Sequence, residues 1–183
     1  MAVKENFPKR FMIVGAMCAR GTFPLIKVDP KAKINSDYYC SHVLTPLVEE
    51  YIPRLYAGEV DRVTVHHDKA SSHTSRKTTA FMQMLTQKHG IRFLDKDIIP
   101  VKGADISPMD FFGFGYIKQK LKGCRATTVQ GVWNAWARIW SAVSPEITRK
   151  VIESWKQSLR AVARVHGEHI EQTKQIHRRS VHS

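Results

Sequence analysis

The sequence predicts an α/β domain: a mixed sheet flanked by helices, with a helical extension at its C-terminal end. Three observations carry that expectation. Short apolar or β-branched runs alternate with segments of helical period, in the order strand, strand, helix, strand, helix, strand and then helices. One run, Val63-Thr64-Val65, leads through His66 and His67 to Asp68 and then breaks into small polar residues, so a carboxylate falls where a strand should stop. The composition, 43% hydrophobic and 25% charged over 183 residues, is that of one folded domain with a real core.

Taken in order, residues 11–16 are apolar and bounded by Pro8 and Gly21, as a buried strand would be. Arg20-Gly21-Thr22 reads as a turn and 23–28 as a second strand, giving an antiparallel hairpin that Asp29-Pro30 ends. Asn35-Ser36-Asp37 offers an N-cap to a helix over 38–56, with Val43, Leu44, Leu47 and Val48 on one face. Pro46 and Pro53 are expected to bend or interrupt it. The 63–68 strand follows, and Ser71, Ser72 or Thr74 can cap the helix over 75–89 that Gly90 closes. Residues 91–94 make a fourth strand, 97–103 a loop, and 111–121 a helix despite Gly113 and Gly115. Thr127 or Thr128 caps another helix through Trp140, and Ser144-Pro145-Glu146 opens a last one reaching about Val165. The polar tail, 168–183, is expected to fray.

Charge narrows the partners. With 29 Lys+Arg against 16 Asp+Glu, the net charge of +13 favours a polyanion, nucleic acid before an acidic membrane. No apolar run approaches the ~20 residues that span a bilayer, and the first residues hold no apolar signal core. Cys18, Cys40 and Cys124 are widely spaced with no CxxC pair, which predicts buried thiols in a reducing compartment and no zinc site.

Asp68 and Asp110 are the sharpest chemical pair. Carboxylates at a strand end and a helix start can hold Mg²⁺ or Mn²⁺ through hard oxygen ligands, and such ions serve phosphoryl transfer. A zinc site from His66, Asp68 and His73 is a weaker alternative; strand geometry puts His66 and Asp68 on one face and His67 on the other. Trp133, Trp136 and Trp140 recur at helical spacing, which reads as a packing face before it reads as a platform for bases. Lys69, Lys118, Lys120, Lys122 and Arg125, with Arg149, Lys150, Lys156, Arg160 and Arg164, are candidate phosphate contacts.

The run from Asp68 through Ala70 to His73 resembles the Asp-Asn-Ala-x-x-His signature of mariner-type transposases, in the Tc/mariner superfamily of DDE/D enzymes. The run from Asp105 through Ser107-Pro108 to Asp110 resembles their Ser-Pro-Asp-Leu-x-Pro-x-Asp/Glu signature, although Gly103-Ala104 stands where that signature has Ser-Pro. Gly15 with Arg20-Gly21, Asn35 to Tyr39 with Val43-Leu44, and Lys118 to Lys122 match further family features in the correct order. The resemblance implies an RNase H-like fold, and Asp68 and Asp110 as the second and third catalytic, metal-binding acids with Asp105 non-catalytic. It also implies His73 beside the active site, contacting DNA or supporting Asp68. Cleavage at transposon ends and strand transfer with Mg²⁺ or Mn²⁺, double-stranded DNA as partner, a possible homodimer and a nuclear location follow in the same way.

In that family the first catalytic Asp lies on the first strand, before the hairpin. The chain therefore reads as an RNase H-like catalytic domain lacking that strand over 1–143, with a basic helix and tail packed on it over 144–183. Three functions are open: a transposase catalytic domain whose DNA cleavage is lost or impaired, a non-catalytic DNA- or protein-binding module derived from a transposon, and a metal nuclease of another family using Asp68, Asp110 and an acid such as Glu146.

Overall fold

The computed structural model describes residues 11–29, 31–68, 70–94 and 107–164. The N-terminal hairpin has two short ladders. β1 (Met12–Val14) pairs antiparallel with β4 (Ile26–Val28), and β2 (Met17–Cys18) with β3 (Gly21–Thr22). The turn is one step earlier than the sequence suggests: Cys18 pairs with Gly21 across Ala19 and Arg20, and Gly21 and Thr22 are already in the returning strand. Gly21 has φ 144°, a backbone state that L side chains rarely adopt.

A continuous helix over 36–55 follows. It opens as α1 (Ser36–Tyr38), capped by the Asn35 side chain accepting from the Tyr38 N–H, and closes as α2 (Ile52–Leu55). Pro46 and Pro53 do not interrupt it. The backbone instead widens into π-type turns over Tyr39–Leu44 and Leu47–Tyr51, where the spacing to the accepting carbonyl is five residues. A proline ring clashes with the carbonyl four residues back and donates no hydrogen bond, and a wider turn at these positions relieves both problems.

β5 (Thr64–Val65) pairs in parallel with β6 (Arg92–Phe93), joined by α3 (Ser71–Thr74) and α4 (Arg76–His89). The small polar residues after Asp68 form a helical turn of their own, and it is Ser75 that caps α4 by accepting from the Thr78 N–H. Gly90 ends α4 at φ 76°, as a C-terminal glycine should. A π-type turn, Met109–Gly113, leads into α5 (Phe114–Leu121). α6 (Val129–Ser141) is capped by Thr128, and α7 (Pro145–Arg164) begins where the Ser-Pro-Glu signal puts it. The expected loop over 97–103, Asp105, Lys69 and the tail lie outside the described residues.

The sheet is mixed but not continuous. Among the described residues β5 pairs only with β6 and β1 only with β4, so no strand bridges the hairpin to the parallel pair. Packing joins them instead. Tyr39, Val43, Leu44, Val48 and Ile52 of the long helix form one core with Leu85 and Ile91, and Val14, Ile26, Val65 and Phe93 pack on it from both sheets. A second core centres on Trp140, Ile117 and Val143. It is tied to the hairpin by the Trp140 Nε1–H donating to the Phe23 carbonyl at 2.8 Å and the Thr22 hydroxyl donating to the Trp140 carbonyl at 3.2 Å. α7 packs across β2 and β3. The three cysteines are free; Cys40 is buried as expected, whereas Cys18 and Cys124 are only half-buried.

Candidate functional site

Asp68 lies three residues past the last laddered position of β5, Val65. Its Oδ1 accepts from the Ala70 N–H at 3.1 Å, a local turn that swings the chain out of the strand and into α3. One turn of α3 then returns His73, whose Nδ1 stands 2.5 Å from Asp68 Oδ1 and 3.3 Å from the Asp68 carbonyl. Both oxygens are acceptors, so Nδ1 carries the hydrogen. The His73 ring stacks on Tyr39, centroid to centroid 3.8 Å. Tyr39 is buried, and its hydroxyl lies 3.4 Å from His67 Nδ1.

These contacts set the protonation states. The His73 hydrogen bond holds the Asp68 carboxyl below the ordinary carboxylate range, against the opposing effect of partial burial. Burial, with His73 beside it, lowers His67 to about 4, so its ring is neutral near pH 7 and Nδ1 is free to accept from Tyr39. Burial, then the Asp68 charge, raises the Tyr39 phenol, which therefore stays protonated as the donor. His66 faces elsewhere, its ring 5.7 Å from that of Trp155, and burial lowers its pKa too. Strand alternation had placed Asp68 with His66. Because the ladder stops at Val65, Asp68 joins His67 and His73 on the Tyr39 side instead.

Asp110 sits in the first turn of the 109–121 helix, its N–H donating to the Ser107 carbonyl at 3.0 Å, and its side chain is exposed. The helix start is fixed by its neighbour Met109, whose Cε approaches to 3.0 Å of where a Cβ would stand on either Gly15 or Gly113. The groups that act on the Asp68 carboxyl are His73, Ala70 and His67. Among the described residues no group of three or more His, Cys, Asp or Glu could hold a metal ion. Glu146 pairs with Lys150 at 3.0 Å on the exposed start of α7. Oδ1 of Asp68 is engaged by His73 and Ala70, and among the described residues no third His, Cys, Asp or Glu joins a group that would complete the oxygen-rich shell that Mg²⁺ or Mn²⁺ takes. The zinc alternative finds no support in these residues either.

Lys118, Lys120, Lys122 and Arg125 are all exposed, and among the described residues none is paired with a carboxylate. Lys120 lies 5.7 Å from the Tyr116 ring, which stacks on Phe112. Of the tryptophan stripe, Trp140 and Trp136 belong to the second core, whereas Trp133 meets Phe11 edge-on at the hairpin, with the Lys27 ammonium 5.6 Å from its ring. The stripe is therefore chiefly packing. Tyr39 is the site residue whose role the sequence did not disclose. Its position four residues after the Asn35 cap was visible, but its contact with residue 73 is not local.

The mixed α/β architecture, with a long core helix beside the strands, has the RNase H-like fold of a mariner transposase catalytic domain. Solved structures similar to this chain include the catalytic domain of Mos1 mariner transposase, at TM-score 0.73 and 19% identity over 89% of this chain and 77% of that one. A pre-cleavage Mos1 transpososome matches at TM-score 0.74 and 18% identity over 93% of this chain but 48% of that chain. The Mos1 mariner paired end complex with Mn matches at TM-score 0.75 and 18% identity over 93% and 48%. The chain thus spans about half the length of the Mos1 chains in those complexes. No family model matches it, and the search of curated proteins returns no match. No helix among the described residues is long and apolar enough to cross a membrane.

Proposed function

We propose that the chain is a transposase-derived DNA-binding domain in which metal-dependent strand cleavage and transfer are lost or impaired. The observation that carries the reading is the position of Asp68, just beyond the end of a parallel strand, in a chain that shares its fold with the Mos1 catalytic domain over most of its length. Asp68 and Asp110 stand in for the second and third acids of the DDE/D set. The described residues supply these two carboxylates without a third, and two-metal phosphoryl transfer depends on a complete set of ligands to place the ions' charge. The exposed bases at 118, 120, 122 and 125 supply sequence-independent contact with the phosphate backbone. Arg149, Lys150 and Lys156 on α7 add further exposed bases. Duplex DNA is the partner, two copies acting on paired ends is the assembly, and the nucleus is the location that this work requires. Paired-end and strand-transfer complexes of Mos1 support the first two by analogy.

The test is incubation of the purified chain with supercoiled DNA and Mg²⁺ or Mn²⁺. The reading expects no nicking above background. Metal-dependent nicking that disappears in Asp68→Ala would overturn the loss of catalysis and leave an active nuclease.

A further inference from the structure

We infer that the seam between the hairpin and α6 binds an unpaired nucleotide of single-stranded DNA, with Phe11 and Trp133 receiving its base and Lys27 its phosphate. The site extends the DNA-binding function proposed above and rests on it. Lys27 is its centre. It faces Ile13 across the β1–β4 ladder, and its neighbour Ile26 packs on the first core, so strand alternation sends the Lys27 side chain to the other face, toward α6. There its ammonium stands 5.6 Å from the Trp133 ring and 5.9 Å from the Phe11 ring, and donates to Gln130 Oε1 at 3.0 Å. The two rings meet edge-on at 6.3 Å, and both residues are only half-buried. Gln130 in turn donates to Asn134 Oδ1 at 2.8 Å, and Arg138 continues the same exposed row at a spacing of four. The α6 sequence holds no Asp or Glu, and among the described residues neither Lys27 nor Arg138 is paired with a carboxylate. Asp29, the nearest acid in sequence, turns its Oδ1 to the Lys31 N–H. The seam therefore offers hydrogen-bond donors, positive charge and aromatic surface together, which suits a phosphate that carries an open base. A duplex keeps its base faces stacked inside, and only an unpaired nucleotide can lend one to a protein ring. Trp140 of α6 is bonded to the hairpin at Phe23 and Thr22, so the two sides of the seam are held together before a ligand arrives. Gln130 also follows Arg125 by five residues, a reach of at most about 18 Å from the basic cluster.

The probes are a short labelled oligothymidylate and the same strand built of abasic sites, titrated with the full chain and followed by fluorescence anisotropy. Stacking of one base should make the base-bearing strand bind tighter than the abasic one by roughly 5- to 150-fold. Trp133→Leu, which keeps an apolar side chain against the hairpin, should remove most of that preference; if this variant does not fold, Phe11→Leu takes its place with the same expectation. Lys27→Met, which keeps the stem and removes the charge, should weaken both strands alike and make the salt slope shallower by about 0.7, the value of one phosphate on a single strand. Equal affinities for the two strands in the unmodified chain would overturn the site, whatever the variants do. So would a preference that persists unchanged in a folded ring variant, or a slope unaltered in Lys27→Met. Duplex binding by the unmodified chain separates the two failures. A chain that binds duplex but shows no base preference on the single strand overturns this site alone, whereas one that binds neither DNA overturns the DNA-binding function and the site with it.

Discussion

His67 gives the folded chain an acid sensitivity that can be read in a melting experiment. Its pKa is about 4 in the fold against an ordinary value near 6.5. Between those limits the unfolded chain takes up a proton that the folded chain refuses, so stability is full above about pH 6.5 and falls as pH drops toward 4. The loss from this residue reaches at most about 3 kcal/mol, and His66, also lowered by burial, adds to it with the same sign. The Asp68 carboxyl behaves differently: held low by His73, it keeps its contribution down to the ordinary carboxylate range and loses it only below. Melting temperatures taken from pH 7.5 to 4.5 should therefore decline, and His67→Gln should flatten the decline. A flat profile in the unmodified chain would mean that His67 is solvated. A place for His73 beside Asp68 was legible only through the family resemblance, which left contact with DNA open as well, whereas strand alternation grouped Asp68 with His66. The Tyr39 stack was not legible, because it joins residues from two helices that meet only in the core.

Elements were legible where period and caps agreed, and less so where tertiary packing chose among local options. Gly90 ends α4 and Thr128 and Pro145 start α6 and α7 where the sequence puts them, while the cap of α4 is Ser75 in place of the expected Ser71, Ser72 or Thr74. The 36–55 helix survives two prolines because its buried face, from Tyr39 to Ile52, stabilises it more than a local break would gain. Sheet continuity was beyond reach of the sequence: run-by-run reading finds strands, but which edges pair depends on the whole assembly. The bond from Trp140 to the hairpin offers a direct test of how α6 is held. Trp140→Phe keeps an aromatic ring in a site 1% exposed but leaves the Phe23 carbonyl without its donor. That should cost about 1–3 kcal/mol and lower the melting temperature by several degrees. Trp140→Ala, which also opens a cavity, should cost about 3–5 kcal/mol. Equal melting temperatures for Trp140→Phe and the unmodified chain would show that the bond contributes nothing.

For the molecule as a whole, charge and fold point the same way: a net +13 on a domain built like the catalytic domain of a DNA transposase. Fold class was legible in the order of the elements and in motifs spread from Gly15 to Lys122, because that order reflects topology. Whether Asp68 and Asp110 converge was not legible, because convergence is a property of the assembled structure; among the described residues no group of three or more His, Cys, Asp or Glu could hold a metal ion. The function proposed for the domain is DNA binding. Affinity for a random-sequence duplex, measured by fluorescence anisotropy across a salt series, decides this. The logarithm of the binding constant should fall linearly with the logarithm of salt. Replacing Lys118, Lys120, Lys122 and Arg125 together by Ala should make the slope shallower by about 3 to 4, at roughly 0.9 for each phosphate that is no longer neutralised. Absent or salt-independent binding, or a slope unchanged in the fourfold variant, would contradict a DNA-binding role for this surface.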